Sequence, residues 1–185
     1  LSSACIRIGR EQEGLCRELW PALWENGRFC ATVLLSPPGL GKTTLLRDMV
    51  RTLSDGTSDY PALRVAVVDE RGEIAGMYRG APQLAVGCHT DVLDGCPKAV
   101  GIPVLLRAAN PQVIAVDEIT QREDLYAVSA AANCGVTLLA TIHAGSMEEL
   151  RRKPLFARLL RLQVFERAVL ITRQNEERRY QVERL

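Results

Sequence analysis

The run Thr32-Val33-Leu34-Leu35 leads directly into Ser36-Pro37-Pro38-Gly39-Leu40-Gly41-Lys42-Thr43-Thr44, and an amphipathic pattern follows. This is a Walker A phosphate loop in the setting it requires, between a strand and a helix. Successive backbone N–H groups around Gly39 and Gly41 point inward at phosphate oxygens, helped by the positive end of the helix dipole. Glycine is needed there because a Cβ would block the approach. Pro38, Gly39, Leu40, Gly41, Lys42, Thr43 and Thr44 are therefore the expected ATP-binding residues. Lys42 is expected to reach the β- and γ-phosphates, and the Thr43 hydroxyl to ligate Mg²⁺. Ser36 replaces the first glycine of the pattern, at a position that only starts the loop.

Two apolar runs end in Asp-Glu, at Val68-Asp69-Glu70 and Val116-Asp117-Glu118. Nucleotide sites of open α/β sheets lie beyond such strand ends. The run Val113-Ile114-Ala115-Val116-Asp117-Glu118 is assigned as Walker B, because an extra strand separates it from the phosphate loop. Asp117 then holds the Mg²⁺ shell and Glu118 polarises the attacking water. Asp69, Glu70 and Glu73 form a second acidic cluster near the γ-phosphate. His143, after the run Val136 to Thr141, is placed to sense that phosphate. The six cysteines include no CxxC pair, so they read as reduced, structural thiols rather than zinc ligands.

These residues need a sheet to position them. Five segments rich in β-branched residues, Ala31 to Leu35, Arg64 to Val68, Val113 to Val116, Val136 to Thr141 and Ala168 to Thr172, read as strands. Between them lie helical patterns: Leu45 to Leu53, stopped by Ser54-Asp55-Gly56; Glu123 to Ala132; and Met147 to Leu162, broken at Pro154. Near-continuous apolar strands alternating with helices predict an α/β fold, a RecA-like (ASCE) P-loop NTPase with a mostly parallel sheet and helices on both faces. The stretch Ile74 to Pro111, with five glycines and four prolines, reads as long loops with short elements. Glu11 to Trp24 reads as a helix weakened by Pro21. Residues 1–30 are taken as a linker or helical segment left from an upstream domain, since the chain starts at Leu1 within the pattern Ala4, Ile6, Ile8; residues 31–185 form the ATPase domain.

The chain has 185 residues, 47% hydrophobic and 24% charged, which excludes disordered, collagenous and small disulfide-rich classes. No apolar run approaches the roughly 20 residues that span a bilayer, so the expected location is cytoplasmic. The formal net charge is +1, yet Arg151 to Leu185 carries ten basic residues against four glutamates, +6, leaving −5 for the first 150. That basic end could meet nucleic acid, an acidic partner or a membrane surface. No aromatic stacking platform interleaves it, so charge alone points to nucleic acid.

The Walker B run, the alanine-rich helix after it, Gly135 to His143 and Asp69-Glu70-Arg71-Gly72-Glu73 resemble the boxes of the type II and type IV secretion and pilus-motor ATPases. More specifically, Ser36 to Thr44, Asp69-Glu70-Arg71, Glu73-Ile74-Ala75-Gly76, Tyr78-Arg79-Gly80 and Thr90-Asp91-Val92-Leu93-Asp94-Gly95-Cys96-Pro97-Lys98 resemble the stage III sporulation protein AA family of endospore-forming bacteria. The resemblance implies a mother-cell ATPase, forming a homo-oligomer such as a hexameric ring. It further implies membrane-embedded partner subunits of a channel linking mother cell and forespore, and an N-terminal domain in family members. Thr120-Gln121 stands where the pilus motors carry Arg-Asp, so the cation that meets charge on the γ-phosphate is expected in trans. Arg79 is the first candidate, with Arg71 and Arg107 as alternatives. Beside the motor, two other readings stand open: a nucleotide-gated scaffold with little turnover, and a RecA-like nucleic-acid translocase.

Overall fold

The structure, a computed structural model, describes residues 11–175 and 177–185. Ala4, Cys5, Ile6 and Ile8, and with them a third of the expected N-terminal segment, lie outside the described residues. Strands β1 (Trp24–Glu25) and β2 (Arg28–Phe29) form a small antiparallel hairpin. Its turn is Asn26-Gly27, both with positive φ (52° and 77°), the combination that a two-residue type I′ turn demands.

The main sheet has seven strands in the order β5-β4-β6-β7-β3-β8-β9. They are β3 (Thr32–Ser36), β4 (Val65–Asp69), β5 (Thr90–Asp94), β6 (Val113–Val116), β7 (Thr137–His143), β8 (Arg167–Gln174) and β9 (Glu177–Arg184). Every pairing is parallel except β8 with β9. Strand β7 lies between β3 and β6, which is the intervening strand the Walker B assignment assumed.

Alternate residues of each strand feed one of two cores. Helix α1 (Lys42–Asp55) covers one face, with Leu45, Leu46, Met49, Val50 and Leu53 all fully buried. Burying one such side chain stabilises by roughly 1.5–3 kcal/mol. The opposite face carries α2 (Lys98–Ala108), α3 (Arg122–Asn133), α4 (Met147–Arg152) and α5 (Pro154–Arg161). Pro154 separates α4 from α5, as the sequence suggested. The α/β expectation, with a mostly parallel sheet and helices on both faces, therefore holds.

Three expectations change. Ile74 to Pro111 keeps its long loop over 74–89, but its elements are not all short: besides β5 it contains the eleven-residue α2, with Pro103 inside the helix. Gly101 marks close approach rather than a break, because a Cβ there would come within 2.7 Å of Val68 Cγ1 on β4. The charged C-terminus adds the edge strand β9, whose Tyr180 and Val182 pack inward. Glu11 to Trp24 is not a helix beyond a short 3-10 turn at Trp20–Leu23. The carboxylate of Asp48 on α1 takes the N–H groups of Gly14 and Cys16, each at 2.9 Å, and so pins that segment in an irregular course. Cys16, Leu19, Trp20, Leu23 and Phe29 consequently share one core with α1. The free thiols of the described residues are Cys16, Cys30, Cys88, Cys96 and Cys134.

Candidate active site

The parallel register sets Ser36 opposite His143, so the loop after β3 and the end of β7 meet. Gly39 and Gly41 have φ of 80° and 88°, left-handed values that favour glycine. Pro38 and Gly39 are exposed, while Leu40, Thr43 and Thr44 are half-buried. Lys42, the first residue of α1, is 5% exposed. Its Nζ donates to Ser36 O and Oγ, both at 3.1 Å, to Pro37 O at 3.2 Å and to His143 Nδ1 at 2.9 Å. Among the described residues no carboxylate is ion-paired with it. Burial pushes this ammonium below its ordinary pKa, against the opposing charges of Asp117 and Glu118.

An ammonium only donates, so His143 Nδ1 accepts and the proton is assigned to Nε2. Nε2 then donates to Glu118 Oε1 at 2.7 Å. The other oxygen of Glu118 is paired with Arg71 at 2.8 Å. Burial pushes the Glu118 carboxyl up, but the His143 hydrogen bond and the charges of Arg71 and Lys42 outweigh it and hold it below the ordinary 4.5. Glu118 has φ of 51°, a left-handed conformation that costs a non-glycine residue of order 1–3 kcal/mol. Its N–H donates to Thr141 Oγ1 at 2.9 Å, and Thr141 O takes the Ile119 N–H at 3.1 Å. The fully buried Thr141 hydroxyl also donates to one oxygen of Asp117. Thr43 Oγ1 donates to the other at 2.7 Å. Two hard oxygen donors thus meet at the end of β6, of the kind that suits Mg²⁺.

The second acidic cluster divides. Asp69 does not offer an open carboxylate: it takes the N–H groups of Glu73 at 2.9 Å, Ile74 at 3.0 Å and Ala75 at 2.8 Å. Arg47 of α1 holds the same loop by donating to Ile74 O at 2.5 Å and Glu73 O at 2.6 Å. Thus fixed, the loop brings Glu70 and Glu73 into one narrow cleft with Asp117 and Glu118. Glu70 is paired there with Lys98. Of the three candidate trans arginines, Arg71 is corrected to a cis partner of Glu118. Arg107 lies in the last turn of α2, which runs from the carboxyl end of β5 back to the start of β6, and is thereby carried to the amino ends of the strands, away from the cleft. Arg79 sits exposed in a tight hairpin turn with Gly80, closed by reciprocal Tyr78 and Ala81 hydrogen bonds of 2.9 and 3.0 Å.

Three participants escaped the motif reading. Thr141 is hidden in an apolar strand. Arg178 comes from β9, its guanidinium 2.9 Å from where a Gly41 Cβ would stand. Lys98 alone had a signal, as the last residue of the Thr90 to Lys98 motif.

In fold the chain is similar to solved secretion and pilus-motor ATPases. It superposes on the ATPase DotB of Legionella pneumophila with a TM-score of 0.65 at 20% identity, covering 94% of this chain and 50% of that one. It superposes on the pilus retraction motor PilT with bound ADP with a TM-score of 0.65 at 15% identity, covering 96% and 54%. The chain belongs to the family described as Sporulation stage III, protein AA, which matches residues 1–182. It is 39% identical over 173 residues to the stage III sporulation protein AA of Bacillus subtilis (strain 168), covering 94% of this chain and 56% of that relative. It thus spans little more than half the length of that relative. Among the described residues no helix is long and apolar enough to cross a membrane.

Proposed function

We propose that this chain binds and hydrolyses ATP with Mg²⁺, as the motor subunit of an assembly that works in sporulation. The observation that carries the reading is Lys42: a buried ammonium whose partners among the described residues are carbonyls, a hydroxyl and an imidazole, at the mouth of a loop with two left-handed glycines. A buried cation without a paired anion is costly, and a polyphosphate removes that cost. Thr43 and Asp117 would hold the metal, which supplies charge neutralisation on the phosphates. Glu118 polarises the attacking water, His143 links that carboxylate to Lys42, and Glu70 and Glu73 flank the cleft.

The subunit acts in a homo-oligomer, a hexameric ring, beside membrane-embedded subunits of a channel between mother cell and forespore, on the cytoplasmic side of the mother cell. Arg79 reaches the neighbouring subunit's site. Lys42→Ala is expected to abolish MgATP binding in calorimetry; unchanged affinity rejects Ser36 to Thr44 as the cradle. Specific activity should rise with protein concentration. Mixing Arg79→Ala with Glu118→Gln subunits should restore hydrolysis, because mixed interfaces pair an intact arginine with an intact glutamate. Tight MgATP binding without turnover, with or without single-stranded DNA, would leave a nucleotide-gated scaffold.

A further inference from the structure

Of the 23 cationic residues only three are lysines, Lys42, Lys98 and Lys153, and all three converge on one region. Lys153 Nζ donates to the carbonyl of His143 at 2.6 Å. Lys42 and Lys98 share a more unusual placement: each is the first residue of its helix, and each is 5% exposed. The N-terminus of a helix is its positive end, where a lysine is electrostatically disfavoured. A chain that otherwise uses arginine keeps the compact ammonium at two buried helix starts facing one site. For Lys42 the phosphate loop explains this, and for Lys98 the explanation must lie in Glu70.

The local chain is shaped to deliver Lys98. Strand β5 pairs in register with β4, setting Asp94 opposite Asp69. Gly95 then turns the chain with φ of 66°, and its N–H is satisfied by Asp69 O at 3.0 Å. Pro97 caps α2, taking the Gly101 N–H at 2.8 Å on its carbonyl. Lys98 Nζ comes out of this turn against Glu70 Oε2. The lysine side chain is 6% exposed and the glutamate 37%, so the buried member anchors the one that faces the cleft. Glu118 has both oxygens engaged, by His143 and Arg71, whereas Glu70 Oε1 has no partner among the described residues.

Resting on the ATP-hydrolysis reading above, we propose that Lys98 is a positioning residue for that reaction: its buried ammonium fixes one oxygen of Glu70 and leaves the other aimed at the cleft that Asp117 and Glu118 line, to orient the attacking water. Lys98 itself touches neither nucleotide nor water. Misplacing a group at the reacting centre by about 1 Å costs about 10²-fold in rate.

The test measures MgATP turnover and calorimetric affinity for the intact protein, Lys98→Met, Glu70→Gln and the double variant. Each single change is expected to lower kcat about 10²-fold with the Kd for MgATP within about threefold of wild type. The double variant should be no worse than the poorer single, because both remove one unit. Losses that multiply in the double variant, or wild-type kcat in Lys98→Met, overturn the proposal while leaving the ATPase reading intact. A wild-type protein that binds no MgATP rejects that reading itself, and this inference with it. Lys98→Arg guards against misfolding, since it keeps the charge. It is expected to bind MgATP normally and stay at least about tenfold slower, a planar guanidinium being no substitute for a buried ammonium; wild-type kcat in Lys98→Arg also overturns the proposal.

Discussion

Asp69 separates two readings of the same acidic residue, one in which it faces the nucleotide and one in which it builds the loop that does. Its carboxylate is buried and takes three N–H groups, from Glu73 at 2.9 Å, Ile74 at 3.0 Å and Ala75 at 2.8 Å. Ile74 and Ala75 share Oδ2, and Glu73 uses Oδ1. In Asp69→Asn the single remaining oxygen can face the Ile74 and Ala75 pair, which turns the new amide N–H₂ toward the Glu73 N–H, donor against donor. Hydrogen bonds to a charged group contribute about 1.5–3 kcal/mol each, so losing one and weakening two is expected to cost about 2–3 kcal/mol. A domain of this size shifts its Tm by about 2–4 °C per kcal/mol, giving a drop of about 4–12 °C. Urea unfolding should show a lower midpoint at unchanged slope, and amide exchange should quicken at residues 73–75. Arg47 still holds the Glu73 and Ile74 carbonyls, so the loop loosens rather than detaches. If Asp69→Asn keeps the wild-type midpoint and exchange yet loses turnover, Asp69 acts on the nucleotide and the loop-building argument fails.

Glu118→Gln is expected to retain MgATP binding while turnover falls by about 10² to 10⁴; a larger loss in Glu70→Gln would move the base to the earlier cluster. Because Glu118 is held below its ordinary 4.5 when folded, its stabilisation is present above that pH and is lost as the pH falls through the folded value. The gap between wild-type and Glu118→Gln urea midpoints should therefore shrink as the pH is lowered below the ordinary carboxyl value. Burial pushes the Cys16 thiol up to about 12, so alkylation at about pH 8 should spare it in the folded protein while labelling the exposed Cys134, and quantitative native labelling of Cys16 would contradict its packing against α1.

Much of this arrangement was legible because it rests on local rules. Ser36 to Thr44 needs a strand before it and a helix after it, and both are written in the apolar spacing. Asp117 and Glu118 follow a run that leaves one strand end to occupy. What stayed hidden depends on contacts distant in sequence. Helix α2 contains Gly101 and Pro103, residues that argue against a helix until Val68 is seen to need the room that Gly101 leaves. Strands β5 and β9 lie at the two sheet edges, where half-exposed, charged sequences lose the apolar signature of a central strand. Arg71 looked free to serve a neighbour, and only the loop that Asp69 and Arg47 fix brings it back to Glu118. The Asn26-Gly27 hairpin went unread inside a segment taken as linker or helix, although it follows the two-residue turn rule directly.

The pairing pattern also orders the steps of the proposed cycle. A phosphate arriving at Lys42 displaces carbonyls and an imidazole, neutral partners that cost little to exchange, so most of the binding energy should be realised there. Arg71 is different, because it already neutralises Glu118, and an incoming anion gains little from it unless that carboxylate lets go. In the proposed cycle Glu118 would stay held between Arg71 and His143 until the loop is occupied, and the contact that joins it to the loop is the one Lys42 makes with His143. In that cycle, drawing the ammonium onto phosphate would remove the donor from His143 Nδ1, free the imidazole to turn, and loosen its Nε2 bond to Glu118. Occupancy of the loop would thereby be coupled to one of the two contacts that hold Glu118, leaving Arg71 on the other.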